Sequence, residues 1–194
     1  MNPWYGKSAV IVSLVVYIII RAPHGRRSMK VPIAEDRKGG LEIGLLIGAW
    51  LGTTIVPVVW ITTSLFAVAE YTLHPVPYGV GLGMMVLGLW LFYCSHTDLG
   101  TNWSVTLQTR EEHSLVTTGI YSRIRHPMYS SMFALGVAQA LFLPNWIVGP
   151  AYLVSFGLLY VFRVRIEERM MLDRFGTEYE DYVQRTGRLI PRLG

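Results

Sequence analysis

The chain has 194 residues, of which 52% are hydrophobic and only 15% charged, against about a quarter charged in a soluble domain; its mean hydropathy is +0.37. That balance excludes an ordinary soluble enzyme and reads as one integral membrane domain over residues 1–194. The formal net charge of +4 is first an orientation signal. No nucleic-acid-binding motif accompanies it, and the single cysteine, Cys94, allows neither an intrachain disulfide nor a cysteine-based zinc site.

Five apolar runs follow in chain order. The first reaches from about Trp4 to Ile20, with its basic cluster after it and no A-x-A site, which predicts a retained helix rather than a cleaved signal. The second, Leu41 to about Phe66, contains Pro57, a predicted kink. The third, about Val76 to Ser95, carries Gly79, Gly81, Gly83 and Gly88, which permit close helix packing. The fourth and fifth, Met128–Leu143 and Trp146–Phe162, are separated only by Pro144 and Asn145, which predicts a tight antiparallel hairpin. Pro127 opens the fourth, where its missing N–H costs nothing.

Basic residues alternate between loops. Arg21, Arg26, Arg27, Lys30, Arg37 and Lys38 lie between the first two runs, Arg110, Arg123 and Arg125 between the third and fourth, and seven arginines from Arg163 to Arg192 after the fifth. The loops around Ala67–Pro75 and Pro144–Asn145 contain no Lys or Arg. The predicted fold is therefore all-α, a polytopic membrane protein of five transmembrane helices. Its N-terminus lies outside and its C-terminus in the cytoplasm. Residues 1–66 form the N-terminal spans. The polar segments 96–126 and 163–194 meet at the cytoplasmic face, so residues 96–194 are the candidate site region. After the fifth run a helical extension should end at Gly176, and "TEYEDYVQRTG" reads as a short amphipathic helix with Thr177 as N-cap and Gly187 as its stop.

Two groups of residues carry possible chemistry. Arg163 and Glu167 share a helix face at i,i+4; they are either an interfacial ion pair or a functional pair at membrane depth. Gln108, His113, Tyr121, His126 and Tyr129 crowd the loop that enters the fourth run. His113 and His126 lack an obvious third ligand, so no metal is predicted. Arg123 and Arg125 read as topology anchors facing solvent. Glu70 and His74 read as an interfacial polar pair, Cys94 and His96 as core packing, and Trp4, Trp103 and Trp146 as belt residues. Tyr179 and Tyr182 should dock the last helix.

"VTTGIYSRIRHPMY", a helical hairpin and "FRVRIEERMMLDRFGTEYEDYVQRTGRLIP" together resemble the isoprenylcysteine carboxyl methyltransferase family of integral membrane methyltransferases, which is itself similar to the phospholipid N-methyltransferases. The resemblance covers roughly residues 100–192. It rests on the Arg-His-Pro-x-Tyr element, the hairpin, the Glu-Glu pair and Phe-Gly-x-x-Tyr-x-x-Tyr, in that order. It implies that the C-terminal half binds S-adenosyl-L-methionine. Gln108, the stretch His113, Ser114, Leu115 and Val116, then Tyr121, match the family's cofactor positions. So do His126, Pro127, Met128 and Tyr129, and Glu167 matches its cofactor-binding glutamate. Arg163 matches the catalytic arginine near the acceptor.

The chemistry is compatible. A carboxylate can accept from an amine or ribose hydroxyls, tyrosines can face a sulfonium, and methylation of a carboxylate needs no metal and no base. The expected partners are membrane lipids and a lipophilic acceptor that enters from the bilayer, with the site on the cytoplasmic face. Other readings are a lipid-amine N-methyltransferase, an NADPH-dependent sterol-type reductase and a non-catalytic membrane adaptor. A channel or transporter is disfavoured by the few ionisable groups within the spans and by the lack of an inverted repeat.

Overall fold

A computed structural model of the protein describes residues 1–28, 32–36, 39–102, 108–110 and 114–192. The elements are α1 (Trp4–Ser28), β1 (Ile33–Asp36), α2 (Gly40–Trp50), α3 (Val56–Thr62), α4 (Pro75–Leu99), β2 (Gln108–Arg110), α5 (Pro127–Phe142), α6 (Ala151–Phe175) and α7 (Thr177–Arg185). The molecule is a helical membrane protein. Among the described residues three helical stretches are long and apolar enough to cross a bilayer, Trp4–Arg27, Gly40–Thr62 and Pro75–Leu99.

The fold is helical as expected, with one short addition and one correction. β1 pairs antiparallel with β2, Asp36 opposite Gln108 and Ile33 opposite Arg110. Pro32 biases the chain away from helix, and β-branched Ile33 and Thr109 favour the extended form. The turn after α5 is also longer than Pro144–Asn145: α6 begins only at Ala151. Asn145, fully buried, dictates this. Its Oδ1 accepts from the amides of Ile147 and Val148 at 3.0 Å each, and its Nδ2 donates to Phe66 O at 2.8 Å. A buried amide must satisfy its polar atoms, so the chain curls around it and Leu143–Pro150 fold back under the hairpin.

The second span is continuous but not regular. A π-helical turn, Leu51–Ile55, joins α2 to α3 just ahead of Pro57. The Val56 amide bonds to Leu51 O, and Pro57 has no N–H to offer Gly52 O. Gln139 of α5 fills the gap, its Nε2 lying 3.3 Å from Gly52 O and 3.3 Å from Val148 O. The expected irregularity at Pro57 therefore takes the form of a π-turn buttressed by a buried glutamine.

The core lies between α4, α5 and α6, around Phe92, Met132, Leu135, Phe156 and Leu159. Gly81 and Gly88 permit close approach of α4 to α5: a Cβ at Gly88 would stand 2.8 Å from Leu135. At Gly79 and Gly83 it would meet nothing within 4 Å, so only half of the glycine set serves packing. α1 packs on α4 and α5, whereas α2 packs on α6.

The C-terminal elements form largely as the sequence predicts. Gly176 ends α6 with φ +52°. It is also the residue flanking α7, so Thr177 is the first helical residue and not the cap. α7 ends at Arg185, before Gly187. Tyr179 and Tyr182 are buried beneath it, and the Tyr182 hydroxyl donates to Tyr121 O at 2.7 Å. Glu70 and His74 do not share a helix. Glu70 accepts from Trp60 Nε1 at 2.7 Å, and His74 precedes α4.

Candidate active site

A cavity of about 690 Å³ runs through the molecule. Its wall along α5 extends from Tyr129 to Phe142, roughly 20 Å of helix at 1.5 Å per residue. The end near His126 and Glu167 is polar. Beyond it lie Ala49, Leu135, Phe156 and Leu159, and the walls become apolar.

The polar end is assembled from three parts of the chain. Ser114, Leu115 and Val116 line it from the loop before α5, where Asn102 braces Ser114: the Ser114 amide donates to Asn102 Oδ1 at 3.4 Å. Tyr121 follows on a short 3₁₀ turn, Gly119–Ser122. Asp98 of α4 holds that turn by accepting from the Ile120 amide at 2.7 Å. Gly119 has φ +58°, and a Cβ there would lie 2.1 Å from Asp98 Oδ2, so this tight turn needs a glycine twice over.

His126, Met128 and Tyr129 line the cavity from the first turn of α5. Pro127 is buried at that turn as the helix opener and supplies no cavity surface. The His126 and Tyr129 rings stack with centroids 5.3 Å apart. Arg163 and Glu167 line the cavity from α6. Arg163 Nε lies 3.9 Å from Glu167 Oε2, and the Tyr129 hydroxyl donates to the same carboxylate oxygen. Gln108 has its backbone in β2. His113 and Trp103 lie outside the described residues.

The arrangement contains residues that the sequence did not single out. Glu42 of α2 is buried, and its Oε1 lies 3.3 Å from an Arg163 guanidinium nitrogen. Its one available signal was an acidic residue at the mouth of an apolar span. Arg125 is no solvent-facing anchor. Its side chain is 9% exposed, lies 3.4 Å from Glu168 and donates to Val183 O at 3.0 Å and to Thr186 O. Glu168 also meets His126 Nε2 at 3.3 Å and Arg188 at 3.0 Å. Burial alone would raise the Glu168 carboxyl, but hydrogen bonds from His126 and Arg188, and their charges, outweigh it and hold the group down at about 2. Burial pushes the Tyr121 phenol well up and that of Tyr182 up to about 12, so both remain neutral.

Backbone bonds extend this clamp. The Arg125 amide donates to Gly187 O at 2.8 Å, and that of His126 to Arg188 O at 3.0 Å. The segment after α7 thus lies alongside the residues that open α5. Sequence reasoning could not reach these contacts, since more than 40 residues separate Arg125 from Glu168 and about 60 separate it from Gly187.

A helical membrane protein in which a cluster of ionisable side chains opens into a long apolar cavity is built to handle something part polar and part lipid-like. Residues 81–173 match the profile of the isoprenylcysteine carboxyl methyltransferase family. The chain is 34% identical to protein-S-isoprenylcysteine O-methyltransferase of Tribolium castaneum over 58% of its own length and 41% of that protein. It is 31% identical to the Arabidopsis thaliana B form over 57% of each, and 31% identical to the human protein over 57% of this chain and 40% of that one. The solved structure of the eukaryotic intramembrane Ras methyltransferase of this family superposes with a TM-score of 0.53 and 27% identity, over 77% of this chain and 50% of that one. Over residues 81–173 the chain is thus similar to the isoprenylcysteine carboxyl methyltransferase family. These matches span about half the length of the curated relatives.

Proposed function

We propose that the protein is an integral membrane methyltransferase that takes S-adenosyl-L-methionine as donor and methylates the carboxylate of a prenylcysteine-like lipid. The observation that carries this is the placement of Arg163 and Glu167 where the polar and apolar parts of one cavity meet. The donor set fits the cofactor: a carboxylate for amine or hydroxyl groups, and stacked rings at His126 and Tyr129 for adenine or sulfonium. When bound, S-adenosylmethionine supplies an electrophilic methyl group on a cationic sulfur.

The protein's own residues then position and desolvate. Arg163 holds the acceptor carboxylate by charge-assisted hydrogen bonds. The Tyr129 hydroxyl keeps Glu167 oriented. The apolar walls exclude water from a reaction in which opposite charges are lost, which favours its transition state. No proton has to move.

Five spans with the N-terminus outside place this site at the cytoplasmic face, which is the reading that the alternating basic loops support. α5 and α6 complete the count as short spans, with α6 crossing as far as Phe162. The acceptor enters sideways between α1 and α2. Ile18 and Trp50 line the cavity and are 53% and 56% exposed, and the two helices pack on different partners.

Calorimetric titration of the detergent-purified protein with S-adenosylhomocysteine, beside NADPH, tests the class. Saturable binding of the former is expected, together with transfer of labelled methyl to N-acetyl-S-farnesylcysteine. Binding of NADPH alone would turn the assignment to a reductase. Cofactor binding with methylation of lipid amines only would move the acceptor to the N-methyltransferase alternative.

A further inference from the structure

Arg163 is 8% exposed, and a buried guanidinium requires compensating charge. The i,i+4 partner Glu167 is one source, at 3.9 Å. The nearer carboxylate belongs to another helix: Glu42 Oε1 at 3.3 Å from the terminal nitrogen Nη1. Glu42 is 7% exposed and stands in the first turn of α2, where the helix dipole favours a negative side chain. Arg163 lines the cavity and Glu42 does not. The guanidinium therefore meets the cavity on one side and Glu42 on another. Glu42 also lies outside residues 81–173, the part that carries the family signature.

We propose that Glu42 is the positioning residue of the acceptor site: it sets the angle at which Arg163 presents its fork to the acceptor carboxylate. The inference rests on the proposed methyltransferase function and deepens it. One turn and two turns further along α2, Leu46 and Ala49 wall the cavity. Glu42 thus couples the helix that shapes the lipid channel to the side chain that holds the lipid's charged end. An arginine released from this grip would keep its charge but lose its direction, and bidentate carboxylate recognition depends on direction.

The test is steady-state methyl transfer to N-acetyl-S-farnesylcysteine by the full chain carrying Glu42→Ala, Glu42→Gln, Arg163→Ala and the Glu42→Ala/Arg163→Ala pair. S-adenosylhomocysteine affinity is measured on each as a check of folding. Glu42→Ala should raise the acceptor KM about tenfold or more, the scale of one charge-assisted hydrogen bond, with cofactor affinity within about twofold. Glu42→Gln should restore part of the loss, and the double variant should be no worse than Arg163→Ala alone. An unchanged KM, fully additive losses or a lowered KM would overturn the proposal, the last by making Glu42 a competitor of the acceptor. A wild-type chain that binds S-adenosylhomocysteine but leaves this acceptor unmethylated would overturn the acceptor assignment, and this inference with it. An active wild type with an insensitive Glu42 would overturn the inference alone.

Discussion

Arg163 and Glu167 share a helix face, and the structure gives them different neighbours. Glu167 faces Tyr129 and the cavity; Arg163 is drawn toward α2. Glu167→Ala should therefore weaken S-adenosylhomocysteine binding by roughly 1.5–3 kcal/mol, the cost of a charge-assisted hydrogen bond, as read by calorimetry. Arg163→Ala should leave that affinity intact and depress turnover. Gly119→Ala should cost roughly 1–3 kcal/mol from its left-handed backbone alone, with a further penalty from Asp98, visible as lower thermal stability and weaker cofactor binding together. At this scale the pair on α6 was legible from its spacing. Glu42 was not, because a lone acid has no period and its partner lies 121 positions away, at residue 163. Arg125 was misread for a related reason. Arginine before an apolar run has the signature of a topology anchor, and only the fold reveals that Glu168 and Thr186 have claimed it.

Between the elements, α7 and the segment after it are held to the start of α5 by backbone bonds, by the Arg125 side chain and by Glu168, which bridges His126 and Arg188. The Glu168 group sits near 2, below its ordinary 4.5. A depressed carboxyl contributes stability that is present above the unfolded value and is lost as pH falls through the folded one. Amide exchange at residues 179–188 should accordingly accelerate as pH drops from about 4.5 toward 2, after correction for intrinsic rates; Glu168→Gln should show the faster exchange already at neutral pH. The hairpin between α5 and α6 depends in a similar way on Asn145. Asn145→Ala strands several buried groups and should lower stability by roughly 3–6 kcal/mol, at about 1–2 kcal/mol for each of the three bonds lost, measured as a fall in the unfolding midpoint in detergent. Helix existence was readable here from hydrophobic runs and from Pro127 and Gly176. The length of the α5–α6 turn was not, since two polar residues look like a minimal turn until Asn145 is found buried. The β1–β2 ribbon was equally hidden: strands of 4 and 3 residues are too short to show alternation.

Taken whole, the chain shows its membrane character in composition, and three of its apolar runs are spans by length and hydropathy. α5, with 16 residues, is short of the roughly 20 that cross unaided, and α6 turns charged from Arg163 onward. The proposed topology is checked by cysteine labelling in a Cys94→Ala background. A cysteine at Glu180, exposed on α7, should react with impermeant reagent only from the cytoplasmic side, and one at Val68, 93% exposed, only from the opposite side. The reverse pattern would invert the molecule.

The entry proposed between Ile18 and Trp50 has a kinetic consequence. A substrate that arrives through lipid is counted in two dimensions. A methyltransferase fed in this way responds to the substrate's mole fraction in the membrane and not to its amount per litre. Diluting a fixed quantity of acceptor into twice as much detergent or phospholipid should therefore halve the rate below saturation, while diluting the whole suspension with buffer should leave each enzyme's turnover unchanged. A donor that arrives from water should respond the other way round.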